Sequence, residues 1–213
     1  MTTYSVRFRN KSKNAGTALI YQKGVDINAP DAQSLAWFSK GTNSGTNVTF
    51  RWTIDYSFVW SEIGELTPGV VFNANQVVDT DLKKKNAITL TRNESGYVFK
   101  DQSDSAPGVL HIYQDETIPY HGASVGIGMS GNGTFAVPSH PKLTALFTPH
   151  PKYYMAFSLQ HIQEGQILDI DQFTNAVEIP FPPSCYSVFV ELDETNNWHV
   201  TPLPNVNAFP IEG

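Results

Sequence analysis

One cysteine, Cys185, is all the thiol chemistry this chain has. An internal disulfide is excluded, and a reducing compartment, by default the cytoplasm, is expected. Charge is scarce as well: 16% of residues are Asp, Glu, Lys or Arg, against roughly 25% in an average soluble domain. The balance is acidic, with a formal net charge of −6. Nucleic acid is not an expected partner, because its affinity rests on Lys and Arg neutralising phosphates. The basic run Lys83-Lys84-Lys85 follows Asp79 and Asp81 in a turn and reads as a solvated loop. No stretch approaches the roughly 20 apolar residues of a membrane span. The start, Met1-Thr2-Thr3-Tyr4, has neither the basic nor the apolar region of a secretory signal, so release would need a signal-independent route or lysis.

Helix signals are equally sparse. No segment sustains an i, i+3, i+4, i+7 apolar stripe for three turns, and 15 Gly with 14 Pro interrupt nearly every candidate. The best helical stretch is residues 31–38, with Asp31 as a cap after Pro30. What recurs instead is strand patterning. Tyr4, Val6 and Phe8 alternate with Ser5, Arg7 and Arg9, and TALIYQ answers them across KSKNAG as an apparent hairpin. Further strands are expected around Phe50, Val71, Ile88, Ile112, Phe135, Leu146, Tyr154, Phe189 and Trp198. Residues 34–60 hold three of the four tryptophans, Trp37, Trp52 and Trp60, together with Phe38, Phe50, Tyr56 and Phe58. Such residues fit the pleated, half-buried surface of a sheet. The expected fold is all-β with very little helix, an antiparallel β-sandwich or jelly-roll-like barrel spanning residues 1–200. Residues 201–213, with Pro202, Pro204 and Pro210, read as an extended arm carrying Leu203, Val206, Phe209 and Ile211.

Motifs that carry chemistry are weak. Gly126, Gly128 and Gly131 satisfy G-x-G-x-x-G, but nucleotide binding needs a helix directly after the glycines to face the phosphates. Thr134-Phe135-Ala136-Val137-Pro138 follows instead, so a hairpin or bulge without nucleotide affinity is expected. Six histidines, at 111, 121, 140, 150, 161 and 199, show no metal-ligand spacing, although a fold could gather some with Asp115, Asp169 or Asp171. Asp169 and Asp171, two apart in LDIDQF, would share one face of a strand without the oxygen-rich loop of a calcium site. Cys185 in PPSCYSVF reads as a small buried hydrophobe, and no serine stands in a G-x-S-x-G elbow. No catalytic residue, cofactor or metal ligand is therefore assigned. Exposed Trp or Tyr beside Asn and Asp could stack on sugar rings. That makes Trp37, Trp52 and Trp60 candidate aromatic contact residues, against the ordinary fate of strand-borne aromatics, which is core.

Several blocks resemble the RhiA family of bacterial proteins. They are SLAWFSK, the F-x-W-T-I-D-Y-S-F-V-W-S-E-x-G-x-L-x-P-G-V segment of residues 50–70, T-I-P-x-x-x-A-S-V-G-I-G-M-S-G-x-G-T-F of residues 117–135, and FTPHPKYY of residues 147–154. GQILDI, IPFPPSCYS and NNWHV continue the match, from Tyr4 to Val200. The resemblance implies a rhizosphere-expressed, quorum-sensing-regulated product with no established enzymatic activity, and it carries over no catalytic residue. The expectation is a non-enzymatic protein acting through self-assembly, as a homo-oligomer, or through surface contacts. A glycan-binding or host-directed, toxin-like protein with carbohydrate as partner is the alternative.

Overall fold

The computed structural model describes residues 2–28, 31–173 and 175–204. In chain order the strands are β1 (Thr3–Asn10), β2 (Gly16–Ile27), β3 (Gln33–Ser34), β4 (Phe38–Thr42), β5 (Asn47–Thr53), β6 (Tyr56–Ser61), β7 (Gln76–Thr80) and β8 (Ala87–Asn93). There follow β9 (Gly96–Ser103), β10 (Leu110–Gln114), β11 (Ser124–Met129), β12 (Asn132–Pro138), β13 (Thr144–Ser158), β14 (Val177–Ile179), β15 (Cys185–Leu192) and β16 (Trp198–Pro204). Among the described residues the helical content is one 3-10 turn, Ile170–Gln172. The chain is all-β and sandwich-like, as its patterning predicts.

Three curled sheets build it. The first runs β16-β15-β1-β5, the second β4-β2-β13-β10-β8-β9 with β14 beside β13, and the third β3-β12-β11-β6-β7. Among the described residues, pairing is antiparallel except for two parallel ladders, β1 with β15 and β8 with β10. The second sheet is shared. One core, with Phe8, Ile20, Trp37, Phe50, Trp52, Tyr153 and Val190, lies between it and the first sheet. Another, with Phe58, Leu90, Leu110, Ile112, Ile127, Phe135 and Phe147, lies between it and the third. β2 shows why TALIY lacks alternation: Ala18 and Ile20 enter the first core, while Leu19 and Tyr21 enter a smaller cluster on the opposite face. A strand buried on both faces reads as a continuous apolar run.

Several local expectations are corrected. β1 and β2 do not form a hairpin; β1 pairs with β5 and β15, and β2 with β4 and β13, so KSKNAG links two sheets. Asn10 makes that corner, its side chain accepting from Ser12 N (3.0 Å) and donating to Asn14 O (2.9 Å) and Thr42 Oγ1 (3.1 Å). Residues 31–38 hold the short β3 and the start of β4 in place of a helix, because Leu35, Ala36 and Trp37 are all fully buried and a single apolar stripe cannot serve them. The segments around Leu146 and Tyr154 are one strand, β13, whose register shifts between Pro149 and Lys152. Around Val71 there is an isolated bridge to Gln166, and the strand beside it is β7.

The glycine cluster is the expected hairpin. β11 pairs antiparallel with β12 across Ser130 and Gly131, with φ of 51° and 80°, and the register shifts at Ile127/Gly128. Positive φ at both central residues is the type I′ geometry that matches strand twist.

Sheet edges are tied by side chains. Lys40 Nζ donates to Thr49 O (2.7 Å) between β4 and β5. Gln76 Oε1 accepts from Trp60 Nε1 and Phe99 N, both at 2.9 Å, between β7 and β9. β16 ends the first sheet, and its Pro202 and Pro204 lack the N–H that an added strand would need.

Burial also sets an alkaline limit. The Tyr21 and Tyr153 phenols are each pushed up to about 12, chiefly by burial. A phenol whose pKa is raised by folding stabilises the fold fully below its ordinary value of 10.0 and ceases to do so as pH passes through about 12. Denaturant midpoints should therefore hold up to about pH 10 and fall steeply by pH 12. The Tyr21 hydroxyl is buried without a hydrogen-bond partner. Tyr21→Phe should thus gain about 1 kcal/mol at neutral pH and soften the alkaline fall; lower stability at neutral pH would contradict this.

Candidate ligand-binding groove

After β13 the chain crosses the outer face of β2 and β13 as a loop of residues 159–169. Ile162 and Leu168 plug it onto Leu19, Tyr21, Ala36 and Ala156. Backbone hydrogen bonds strap it on both sides. Toward residues 34–36 run Gly165 N to Ala36 O (2.8 Å), Ala36 N to Gln166 O (2.8 Å) and Leu168 N to Ser34 O (3.0 Å). Toward residues 69–72 run Phe72 N to Gly165 O (2.9 Å), Ile167 N to Val70 O (2.8 Å) and Gly69 N to Ile167 O (3.0 Å). Ser39 Oγ also donates to Ile162 O. A loop held this way needs no regular ladder to be rigid.

Two depressions flank this loop. The larger, about 520 Å³, is lined by Phe157, Leu159, Gln160, Gln166, Asp169, Gln172 and Phe173 among others. The smaller, about 270 Å³, is lined by Asn14, Phe157, Leu159, Asn175, Leu192, Asn196 and Trp198. Phe157 and Leu159 belong to both, so the two form one groove with an apolar ridge. Leu159 is 70% exposed, the highest value among the exposed large hydrophobic side chains of the described residues.

The groove's chemistry is amide and aromatic. Trp198 is half-buried, packs on Phe8 with ring centres 5.8 Å apart, and donates Nε1–H to Asn175 O at 2.6 Å. Asn175 Nδ2 donates to Asn196 O (3.2 Å), closing the far wall. Among the described residues, the side-chain amides of Asn14, Gln160 and Asn196 make no hydrogen bond to the protein and stand available. The groove's carboxylate, Asp169, accepts from Gln172 Nε2 at 2.8 Å. Nearby Asp193 shapes the turn before β16, accepting from His199 Nε2 (2.8 Å), Asn197 N (3.0 Å) and Thr195 (2.8 and 2.7 Å). These bonds, the one from His199 foremost, hold its carboxyl well below the usual carboxylate range.

The sequence candidates stand elsewhere. Trp37, Trp52 and Trp60 are 0%, 2% and 6% exposed. As aromatic contact residues they are corrected to core, because Trp37 spends its N–H on Met129 O (2.8 Å) and packs edge-on to Trp52 at 5.2 Å. Of the arm residues, Leu203 lies in β16 and is 43% exposed, and residues 201–204 continue the sheet. Val206, Phe209 and Ile211 lie outside the described residues. Asp169 caps the 3-10 turn and Asp171 is its middle residue, so the two do not share a strand face. Cys185 is buried, its thiol facing Ser187 O (3.2 Å) and Leu203 O (3.4 Å). In the Lys83–Lys85 turn, Lys84 and Lys85 lie beside Asp79, Asp81 and Asp104, so the basic run is interspersed with carboxylates. Among the described residues no three His, Cys, Asp or Glu side chains gather as a metal site, and no helix is long and apolar enough to cross a membrane.

Sequence reasoning missed Phe157, Leu159, Phe173 and Trp198 as a set. One usable signal was the amide-rich LQHIQEGQ run, too polar for a strand yet carrying Ile162 for burial.

No solved structure matches this fold. The family model for RhiA matches residues 1–202, which includes the groove-lining Trp198. Protein RhiA of Rhizobium leguminosarum bv. viciae is 33% identical over 203 residues, covering 94% of this chain and 87% of that protein. With agreement from the first strand to the last, the chain belongs to the RhiA family.

Proposed function

We propose that this protein acts by non-covalent contact, without catalysis, and that its contact site is the groove beside Leu159, which takes a neutral, polyhydroxylated ligand such as an oligosaccharide. The observation that carries this reading is the pairing of unspent amides, Asn14, Gln160 and Asn196, with the rings of Phe157, Phe173 and Trp198 along one strapped groove. Aromatic faces suit the C–H faces of sugars, and amides offer donor and acceptor together to hydroxyls. Low net charge in the groove suits a neutral ligand better than an ionic one. We further propose a cytoplasmic origin, where Cys185 would stay reduced, and, as the family resemblance implies, expression in the rhizosphere under quorum sensing.

Tryptophan fluorescence tests it directly, because Trp198 lines the groove while the other three are core. Neutral oligosaccharides drawn from a glycan array should change the emission saturably, and acrylamide quenching should fall as ligand occupies the groove. No hit on the array, or binding that leaves Trp198 equally quenchable, would overturn the reading.

Self-association is a second reading, favoured by Leu203, an apolar side chain exposed at the rim of the first sheet, and it would proceed through side-chain contact, since Pro202 and Pro204 oppose strand addition there. The chain beyond it, bearing Val206, Phe209 and Ile211, would be the contact segment. Because β16 pairs through Pro204, the truncation that leaves the sheet whole ends after Pro204. That truncation should melt like the full chain yet associate less in light scattering across concentrations. Identical association would show that this segment is not the contact.

A further inference from the structure

Nε2 of His121, in the loop before β11, and Nε2 of His140, just after β12, are buried without hydrogen-bond partners, as is Nε2 of Gln114 at the end of β10. Buried polar atoms are satisfied in the great majority of cases, so such a cluster calls for an explanation. Each histidine is held firmly. His121 sits at φ 51°, a left-handed conformation that is uncommon outside glycine, with its N–H bonded to Ser139 O (2.8 Å). A Cβ on Gly64 would collide with His121 O, so the loop lies flush on that glycine. Ser139 is fully buried, and its Oγ accepts from Ala123 N (3.0 Å). His140 N donates to Gln114 Oε1 (3.0 Å), which fixes the way that amide points.

The two imidazole rings stand 5.2 Å apart, centre to centre, at 82°. A tetrahedral ion bound at roughly 2.0–2.1 Å by two imidazole nitrogens sets the ring centres about 5 Å apart. Over the pair lies Tyr120, 66% exposed, stacked on His121 at 4.0 Å and edge-on to His140 at 4.6 Å. From this geometry we infer that His121 and His140 form a two-imidazole site for a divalent transition-metal ion of the zinc, nickel or copper class. Neutral imidazole suits these ions better than the oxygen-preferring calcium or magnesium. Two protein ligands leave the other positions to water or an exogenous donor, so the ion exchanges freely and the fold does not depend on it. Tyr120 is the cover that must rotate aside for the ion to enter.

Zinc titrated calorimetrically into metal-free protein should bind with one equivalent. His121→Ala and His140→Ala should each weaken that binding at least tenfold, whereas His199→Ala, which removes an exposed histidine already paired with Asp193, should not. Melting of each variant without metal reports whether it folds. Independently of any variant, substoichiometric nickel should broaden the ring-proton resonances of His121 and His140 first. Unchanged zinc affinity in folded His121→Ala and His140→Ala proteins, no binding at millimolar zinc, or nickel broadening that begins at other histidines would each overturn the assignment.

Discussion

Replacing Trp37 by alanine is expected to cost about 3–5 kcal/mol, the range for emptying a large buried aromatic site. The indole is fully buried at the centre of the core between the first and second sheets. It lies 5.2 Å from Trp52 and 5.9 Å from Tyr153, ring centre to centre, and the Phe38 ring is 4.3 Å away. Its N–H also ties the third sheet to this core by donating to Met129 O at 2.8 Å. Trp37→Phe keeps most of the packing and loses that bond, so it should cost about 1–3 kcal/mol. Urea midpoints at constant slope measure both. A loss below about 1 kcal/mol for alanine would mean the core does not pack as described.

Gly126→Ala should be comparably severe, for a different reason. Position 126 faces β12 so closely that a Cβ would overlap Phe135 O and crowd the Ala136 Cα, and both obstacles are backbone atoms in a paired strand. Side chains can turn aside, but β11, paired with β6 on one side and β12 on the other, cannot move without losing hydrogen bonds. The expected loss is about 3 kcal/mol or more, at the upper end for overpacking. Gly131→Ala is the control. Nothing lies within 4 Å of its Cβ position, so only the strain of φ 80° is added, about 1 kcal/mol. Equal costs at the two glycines would argue that space at Gly126 is not what the fold requires.

These glycines show how far the fold was legible in the chain. Local pattern identified most strands, because alternation in β1 and β5 and continuous apolar runs in β2 and β11 record which faces are buried. Partnership was not legible. β1 pairs parallel with β15, which follows it by most of the chain's length, and the Ser5–Ser187 hydroxyl contact at 2.8 Å leaves no local trace. A corner such as KSKNAG has the residues of a hairpin turn whether the next strand returns to the same sheet or enters another. The groove was less legible still. Its rings come from the end of β13, the 3-10 turn and the start of β16, and its loop follows no period because straps to residues 34–36 and 69–72 replace a ladder. The dense tryptophan block drew attention to the wrong rings for a physical reason: large aromatics on central strands are worth most when dry.

The proposed function stands or falls on the Leu159 ridge. Leu159 contributes exposed apolar surface to both depressions and is not part of any core, so Leu159→Asp should leave the melting temperature unchanged within a degree or two. The decisive measurement is titration of the best-bound neutral oligosaccharide into wild type and Leu159→Asp, followed by Trp198 fluorescence. Saturable binding to the wild type and at least tenfold weaker binding to the folded variant are expected. Equal affinity of the two proteins would contradict it.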